Sequence, residues 1–212
     1  MPDYPPPPEY RDTPVRYVLP AGRRLWLVHG QSSAAGEFTK PGATPGGRFD
    51  GTYGDPYDVL YAALDPGAVL VDTLLSSVGD GPRMVRRVSM AGMRASAVTT
   101  AVDLAMVDLC SGPALAAVAQ DGWLVAADRA DNPLTRRWGS WIRSKAHWAH
   151  GFVWATGGSA DHRSVVMFGD RCDSDVLKTP HFTVNLDDEF GAVWLVSQLM
   201  DLDAHIDPPA TR

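Results

Sequence analysis

The chain has 212 residues, 45% hydrophobic and 21% charged, with a formal net charge of -6 at pH 7, enough for one domain with a substantial core. That acidic balance argues against a general nucleic-acid binder, which is usually basic. Two isolated cysteines, Cys110 and Cys172, point to neither a disulfide framework nor a zinc site, and the absence of a leader pattern or membrane-length apolar run leads us to expect a soluble cytoplasmic protein.

Residues 1–14, with Pro5 to Pro8 in a row, are expected to form a flexible, extended polyproline tail, and 207–212 a second tail, leaving 15–206 as the domain. Leu25 to His29 reads as a short apolar strand. Gln31 to Tyr57 is rich in Gly, Pro, Ser and Thr, and a loop of that length between two core strands favours a functional role. Val59 to Ala63 reads as a buried strand. Asp65-Pro66 then supplies an N-cap and first-turn proline for a helix to about Ser77. On that helix Val69, Asp72 and Thr73 are neighbours, so Asp72 falls on or beside the apolar face, where a carboxylate needs a partner or a task.

Ala97 to Ala101 and Met106 to Leu109 suggest strands, and Gly112-Pro113 opens a short helix to about Ala119. Asp131-Asn132-Pro133 caps a helix over roughly Leu134 to His150, ended by Gly151. Its basic residues Arg136, Arg137, Arg143 and Lys145 read as a solvated face. Its tryptophans, Trp138, Trp141 and Trp148, read as core, and His147 with His150 as surface or packing residues, since no third metal ligand is evident. Phe152 to Ala155 and Val165 to Phe168 are expected strands around a Gly-Gly-Ser turn. His181 to Leu186 is a further strand, and Asp187-Asp188 caps a last helix to about Asp203. Separated strands and helices of this kind indicate an α+β fold with a mixed sheet and flanking helices.

The chemistry concentrates between Gly46 and Asp72. Gly46-Gly47 permits a tight turn and close approach to a ligand. Arg48 offers a planar fork of donors for phosphate or carboxylate, Tyr61 a flat ring with a polar tip, and Asp72 a negative charge. Thr135 sits in the first turn of its helix, where backbone donors attract anions. His29 shares a strand face with Leu27. No Gly-x-Gly-x-x-Gly, P-loop lysine or Gly-x-Ser-x-Gly elbow occurs, so dehydrogenase, kinase and α/β-hydrolase readings lack support.

Trp26-Leu27-Val28-His29, Gly46-Gly47-Arg48-Phe49, Tyr61-Ala62-Ala63, Asp72, Thr135 and Gly151-Phe152-Val153-Trp154-Ala155-Thr156 together resemble the RES domain family, named for an arginine, a glutamate and a serine. Three positions depart from the family pattern: Leu27 replaces an arginine, Asp72 a glutamate and Thr135 a serine. The resemblance implies a single compact ADP-ribosyltransferase-like domain that consumes NAD by cleaving its nicotinamide–ribose bond, as a glycohydrolase, phosphorylase or ADP-ribosyltransferase. On that reading Asp72, Arg48 and Thr135 are catalytic, and Arg48, Tyr61, His29, Gly47 and Thr156 bind NAD, with no metal. Arg48 would hold the pyrophosphate, Tyr61 would stack, and Asp72 would stabilise the ribosyl cation. The resemblance also implies a toxin with an Xre-type antitoxin partner, whereas the tryptophan-rich helix favours self-association; direct contact with nucleic acid or membrane is not expected. The alternative, favoured by Leu27, is a catalytically degenerate RES domain that binds a nucleotide or a protein.

Overall fold

The structure is a computed structural model and describes residues 6–7, 12–42, 46–75, 84–157 and 159–207. Strands β1 (Arg16–Leu19) and β2 (Arg24–Gly30) precede the glycine-rich loop, and β3 (Val59–Ala63) follows it. Helix α1 (Pro66–Leu70) runs into a π-helical turn, Val71–Leu75, and β4 (Met84–Val85), α2 (Arg87–Met90), β5 (Met93–Thr99) and β6 (Leu104–Leu109) come next. Helices α3 (Gly112–Ala116), α4 (Trp123–Ala126) and α5 (Asn132–Lys145) lead to β7 (Gly151–Thr156) and β8 (Ser159–Phe168). The described chain closes with β9 (Phe182–Asn185), α6 (Glu189–Met200) and β10 (His205–Ile206).

Eight strands form one sheet in the order β1-β6-β7-β8-β3-β2-β5-β9, with β10 and β4 paired separately. Within the large sheet β6 and β7 run parallel and the other pairs antiparallel. This is a mixed α+β architecture with flanking helices, as the sequence led us to expect. Side chains alternate between the two faces along each strand. Trp26 pairs with Ala63, Tyr61 with Val166, and Ala63 with Ser164, which puts Trp26, Tyr61 and Ser164 on one face. Trp154, paired with Ser164, joins them. Leu25, Leu27, Leu60 and Ala62 point the other way into a separate apolar layer. On the first face α5 buries Trp138 and Ile142 against Phe49, Phe152 and Phe168.

The element boundaries differ from expectation in informative ways. The helix after Asp65 narrows to α1 and then widens into the π turn that carries Asp72; Ser77, its expected end, lies outside the described residues. Helix α5 stops at Lys145, so His147 and His150 follow it rather than ride on it, and Gly151 opens β7 instead of capping a helix. Gly151 has a packing reason: a Cβ there would collide with the Val166 carbonyl across the sheet. β1 and the short helices α2 and α4 were not legible from the sequence. Gly158 of the expected Gly-Gly-Ser turn, and residues 1–5, 8–11 and 208–212 of the expected tails, lie outside the described residues.

Candidate functional site

The loop 46–57 is held against α5 by side chains that each meet a main-chain group. Asn132 Nδ2 donates to the Gly46 carbonyl at 3.0 Å, Arg136 Nε to the Gly47 carbonyl at 2.9 Å, and Thr135 Oγ1 to the Arg48 carbonyl at 2.7 Å. Three successive carbonyls of the Gly-Gly-Arg turn are thus captured by the first five residues of one helix. Further along, Arg143 donates both Nη atoms to Asp170, at 3.1 and 2.9 Å, and Nε to Asp55 at 3.3 Å, while stacking on the Tyr57 ring. The Tyr57 hydroxyl donates to the Phe49 carbonyl at 3.0 Å. The basic face of α5 is therefore divided: Arg137 and Lys145 are exposed, but Arg136 is partly buried on the loop, and Arg143 is buried between the loop's Asp55 and Asp170 after β8. This corrects the reading of the cluster as a solvated face.

Beneath the turn, Asp50 accepts from the Tyr61 hydroxyl at 2.9 Å and from the Gly47 amide at 2.8 Å, and Tyr61 in turn accepts from the Phe49 amide at 2.8 Å. Burial pushes the Asp50 carboxyl above its usual range, against the hydrogen bonds from Tyr61 and Gly47 and the charge of Arg136. Burial, with Asp50 beside it, also keeps the Tyr61 phenol protonated. Gly47 has no room for a side chain: a Cβ would drive into the Tyr61 ring. Gly47 is thus required by close packing onto Tyr61, whereas a Cβ on Gly46 would meet only the side-chain ends of Arg136 and Asp50.

Arg48 and Asp72 lie near enough on the Tyr61 face for the charge of each to act on the other. Arg48 donates Nη1 to the carbonyls of Ala127 at 2.9 Å and Leu124 at 3.3 Å, near the end of α4. Burial lowers its pKa, and the charge of Asp72 opposes that most strongly. Asp72, half-buried in the π turn, is a hydrogen-bond acceptor for Ser164, with Thr156 Oγ1 at 3.4 Å. The one hydroxyl hydrogen of Thr156 goes to the nearer acceptor, Ser164 Oγ at 2.7 Å, and Ser164 in turn donates to Asp72, so the hydroxyls form a short relay toward the carboxylate. Burial raises the Asp72 carboxyl above its ordinary value; those hydroxyls and Arg48 hold it back. A carboxylate beside a guanidinium, both partly desolvated, is suited to stabilising developing positive charge while a second group holds an anion.

Of the residues singled out in the sequence, Arg48, Asp72, Tyr61, Gly47 and Thr156 are brought to this face. Thr135 adjoins it, fully buried, with its hydroxyl turned to the Arg48 backbone. His29 is not brought in. It shares the opposite face with Leu27, and its ring nitrogens meet the Gly30 carbonyl at 3.0 Å and Ser96 Oγ at 2.9 Å. Leu27 is itself buried on that face, so a side chain at position 27 does not point toward Arg48 and Asp72. Asp50, Ser164, Asn132 and Arg136 were missed. Arg136 and Arg143 had a signal: a seven-residue spacing, two turns of helix, puts both on one side. A surface cavity of about 630 Å³, lined by Arg23, Arg24, Trp26, Asp65 and His181 among others, contains none of these site residues.

The family model for the RES domain matches residues 24–187. No curated protein matches the chain in sequence. A solved structure, the M. tuberculosis MbcT-MbcA toxin-antitoxin complex, contains a chain that superposes with a TM-score of 0.58 at 15% identity, covering 80% of this chain and 86% of that one. At that identity the likeness concerns the fold. No helix among the described residues is long and apolar enough to cross a membrane.

Proposed function

The chain belongs to the RES domain family, and from that premise we propose that the face holding Arg48 and Asp72 binds NAD and cleaves its nicotinamide–ribose bond. The observation that carries this reading is the convergence of Arg48 and Asp72 on the Tyr61 face, near enough for each charge to act on the other, with Ser164 bonded to the carboxylate and Thr156 beside it. Arg48 holds the pyrophosphate. Nicotinamide departs as a neutral amide with the bonding electron pair, leaving positive charge on the ribose, which the Asp72 carboxylate stabilises. Water, phosphate or a protein side chain then bonds to the anomeric carbon and gives up a proton. Tyr61 holds the loop through Asp50 and Phe49 and offers its ring edge, beside Trp154, to the ligand. Thr135 serves by fixing the Arg48 backbone. The residues need no metal for this chemistry.

On this reading the protein is a cytoplasmic toxin with an antitoxin partner, and the resemblance to a toxin-antitoxin complex supports it. One observation favours the second reading, a nucleotide- or protein-binding module without turnover: Arg48 Nη1 is already engaged with the carbonyls of Leu124 and Ala127.

Incubating the purified chain with NAD and measuring free nicotinamide separates the two. Release that disappears in Asp72→Asn supports the enzyme. A melting shift with millimolar NAD but no release supports the binding module. Neither release nor shift overturns the NAD assignment. Expression in a bacterial host tests the toxin: growth arrest with falling NAD supports it, and normal growth with undiminished NAD removes it.

A further inference from the structure

Helix α6 is apolar on both sides. Its inner side is accounted for: Leu195 and Leu199 are fully buried, Trp194 stacks on Trp26 with ring centroids 5.8 Å apart, and a Cβ on Gly191 would strike the Asn185 backbone. Its outer side carries Phe190, Val193, Val196 and Met200, at 83%, 68%, 47% and 74% exposure. Spaced at three, three and four residues, they form one stripe along the helix. An exposed apolar stripe rimmed by polar groups marks an interaction surface rather than ordinary scatter.

The charges at its two ends say what it fits. Asp187, Asp188 and Glu189 are exposed at the start of α6, and Asp201 and Asp203 just beyond its end. Among the described residues none of these five carboxylates is in an ion pair. Two of them also have local tasks: Asp187 accepts from Gln31 Nε2 at 3.0 Å and from the Gly92 amide at 2.8 Å, and Asp188 is the N-cap that accepts from the Gly191 amide. Asp201 and Asp203 have the opposite standing: they add negative charge where the helix dipole is already negative, and no basic residue sits in the last turn. That end of α6 attracts a cation.

We propose that the outer face of α6 docks an amphipathic helix of another protein, about three turns long, with lysine or arginine at both ends. Twelve residues at 1.5 Å each make a stripe of about 18 Å, which sets the partner's length. A second copy of this chain does not fit. Paired parallel or antiparallel through α6, two copies oppose carboxylates to carboxylates at both ends, and like charges across an interface cost several kcal/mol. This inference is independent of the NAD reading.

Two synthetic helical peptides with the same leucine stripe test it, one with two lysines at each end and one with two glutamates at each end, titrated against the full chain by fluorescence anisotropy. The lysine-ended peptide is expected to bind and to weaken as salt rises, while the glutamate-ended peptide is not. The double variant Val193→Glu/Met200→Glu is expected to lose about tenfold or more in affinity at an unchanged melting temperature, since exposed positions tolerate charge. Equal binding of both peptides, binding of neither, or unchanged affinity in the variant would overturn the proposal. A dimer in sedimentation that the same variant dissociates would assign the face to self-association instead.

Discussion

Thr135 Oγ1 lies 2.7 Å from the main-chain carbonyl of Arg48, a hydrogen bond between the first turn of α5 and the glycine-rich loop. Asn132 and Arg136 make the neighbouring bonds to Gly46 and Gly47, so α5 acts as a rigid template for the turn from which Arg48 projects. Removing the Thr135 hydroxyl leaves a carbonyl unsatisfied in a dry setting, at a cost of about 1–3 kcal/mol. Thr135→Val is expected to lower the melting temperature and weaken NAD binding, and Thr135→Ser to restore both. Thr135→Ser behaving like Thr135→Val would exclude the hydrogen bond as the cause.

Asp72→Asn is expected to cut nicotinamide release by about 100-fold or more, the scale for losing one preorganised electrostatic group. It should also raise the melting temperature at neutral pH. Burial raises the folded-state pKa of Asp72 above the unfolded value. The folded chain therefore holds the proton to higher pH than the unfolded chain, so stability is lost as pH rises from the unfolded value through the folded value, and the ionised carboxylate carries the full cost above it. Loss of activity with a gain in stability is the signature of a strained functional charge. Loss of both would make Asp72 a structural group.

The same shift sets the acid limb of the pH profile. Activity that depends on ionised Asp72 is expected to fall on acidification at a higher pH than an ordinary aspartate would give, with burial as the cause. A profile flat down to the usual carboxylate range would remove Asp72 from the rate-limiting step.

Gly47→Ala is expected to disturb the turn, because its Cβ drives into the Tyr61 ring. Overpacking of this kind costs about 1–3 kcal/mol. The Tyr61 bonds to Asp50 and Phe49 would weaken with it. The single variant Tyr61→Phe, measured for melting temperature beside Gly47→Ala, gives the cost of losing the hydroxyl bonds alone; a larger loss in Gly47→Ala assigns the excess to the clash with the ring and its hydroxyl, and an equal loss excludes the clash.

Leu27→Arg, which restores the family's arginine in sequence, is expected to destabilise rather than activate. Leu27 is 1% exposed on the sheet face opposite Arg48 and Asp72, and an unpaired buried guanidinium costs about 3–5 kcal/mol. Increased nicotinamide release in Leu27→Arg would overturn that placement.

The strand Val59–Ala63, the Asp65 cap with Pro66 after it, and the Gly-Gly-Arg turn with Tyr61 and Asp72 downstream were all readable in the chain, because each rests on local rules of alternation, capping and backbone freedom. The family resemblance came from the same short stretches. Which face each strand presents was decided only by pairing. Trp26 opposite Ala63 turns Leu27 and His29 away from Tyr61, although all lie on adjacent strands. Pairing likewise brought Ser164 beside Thr156 from the next strand. The tasks of Arg136 and Arg143 also depended on the fold, since a basic residue on a helix is solvated unless a loop distant in sequence supplies carbonyls and carboxylates to meet it. Local chemistry determined what the site contains, and long-range pairing determined which of those side chains share a face.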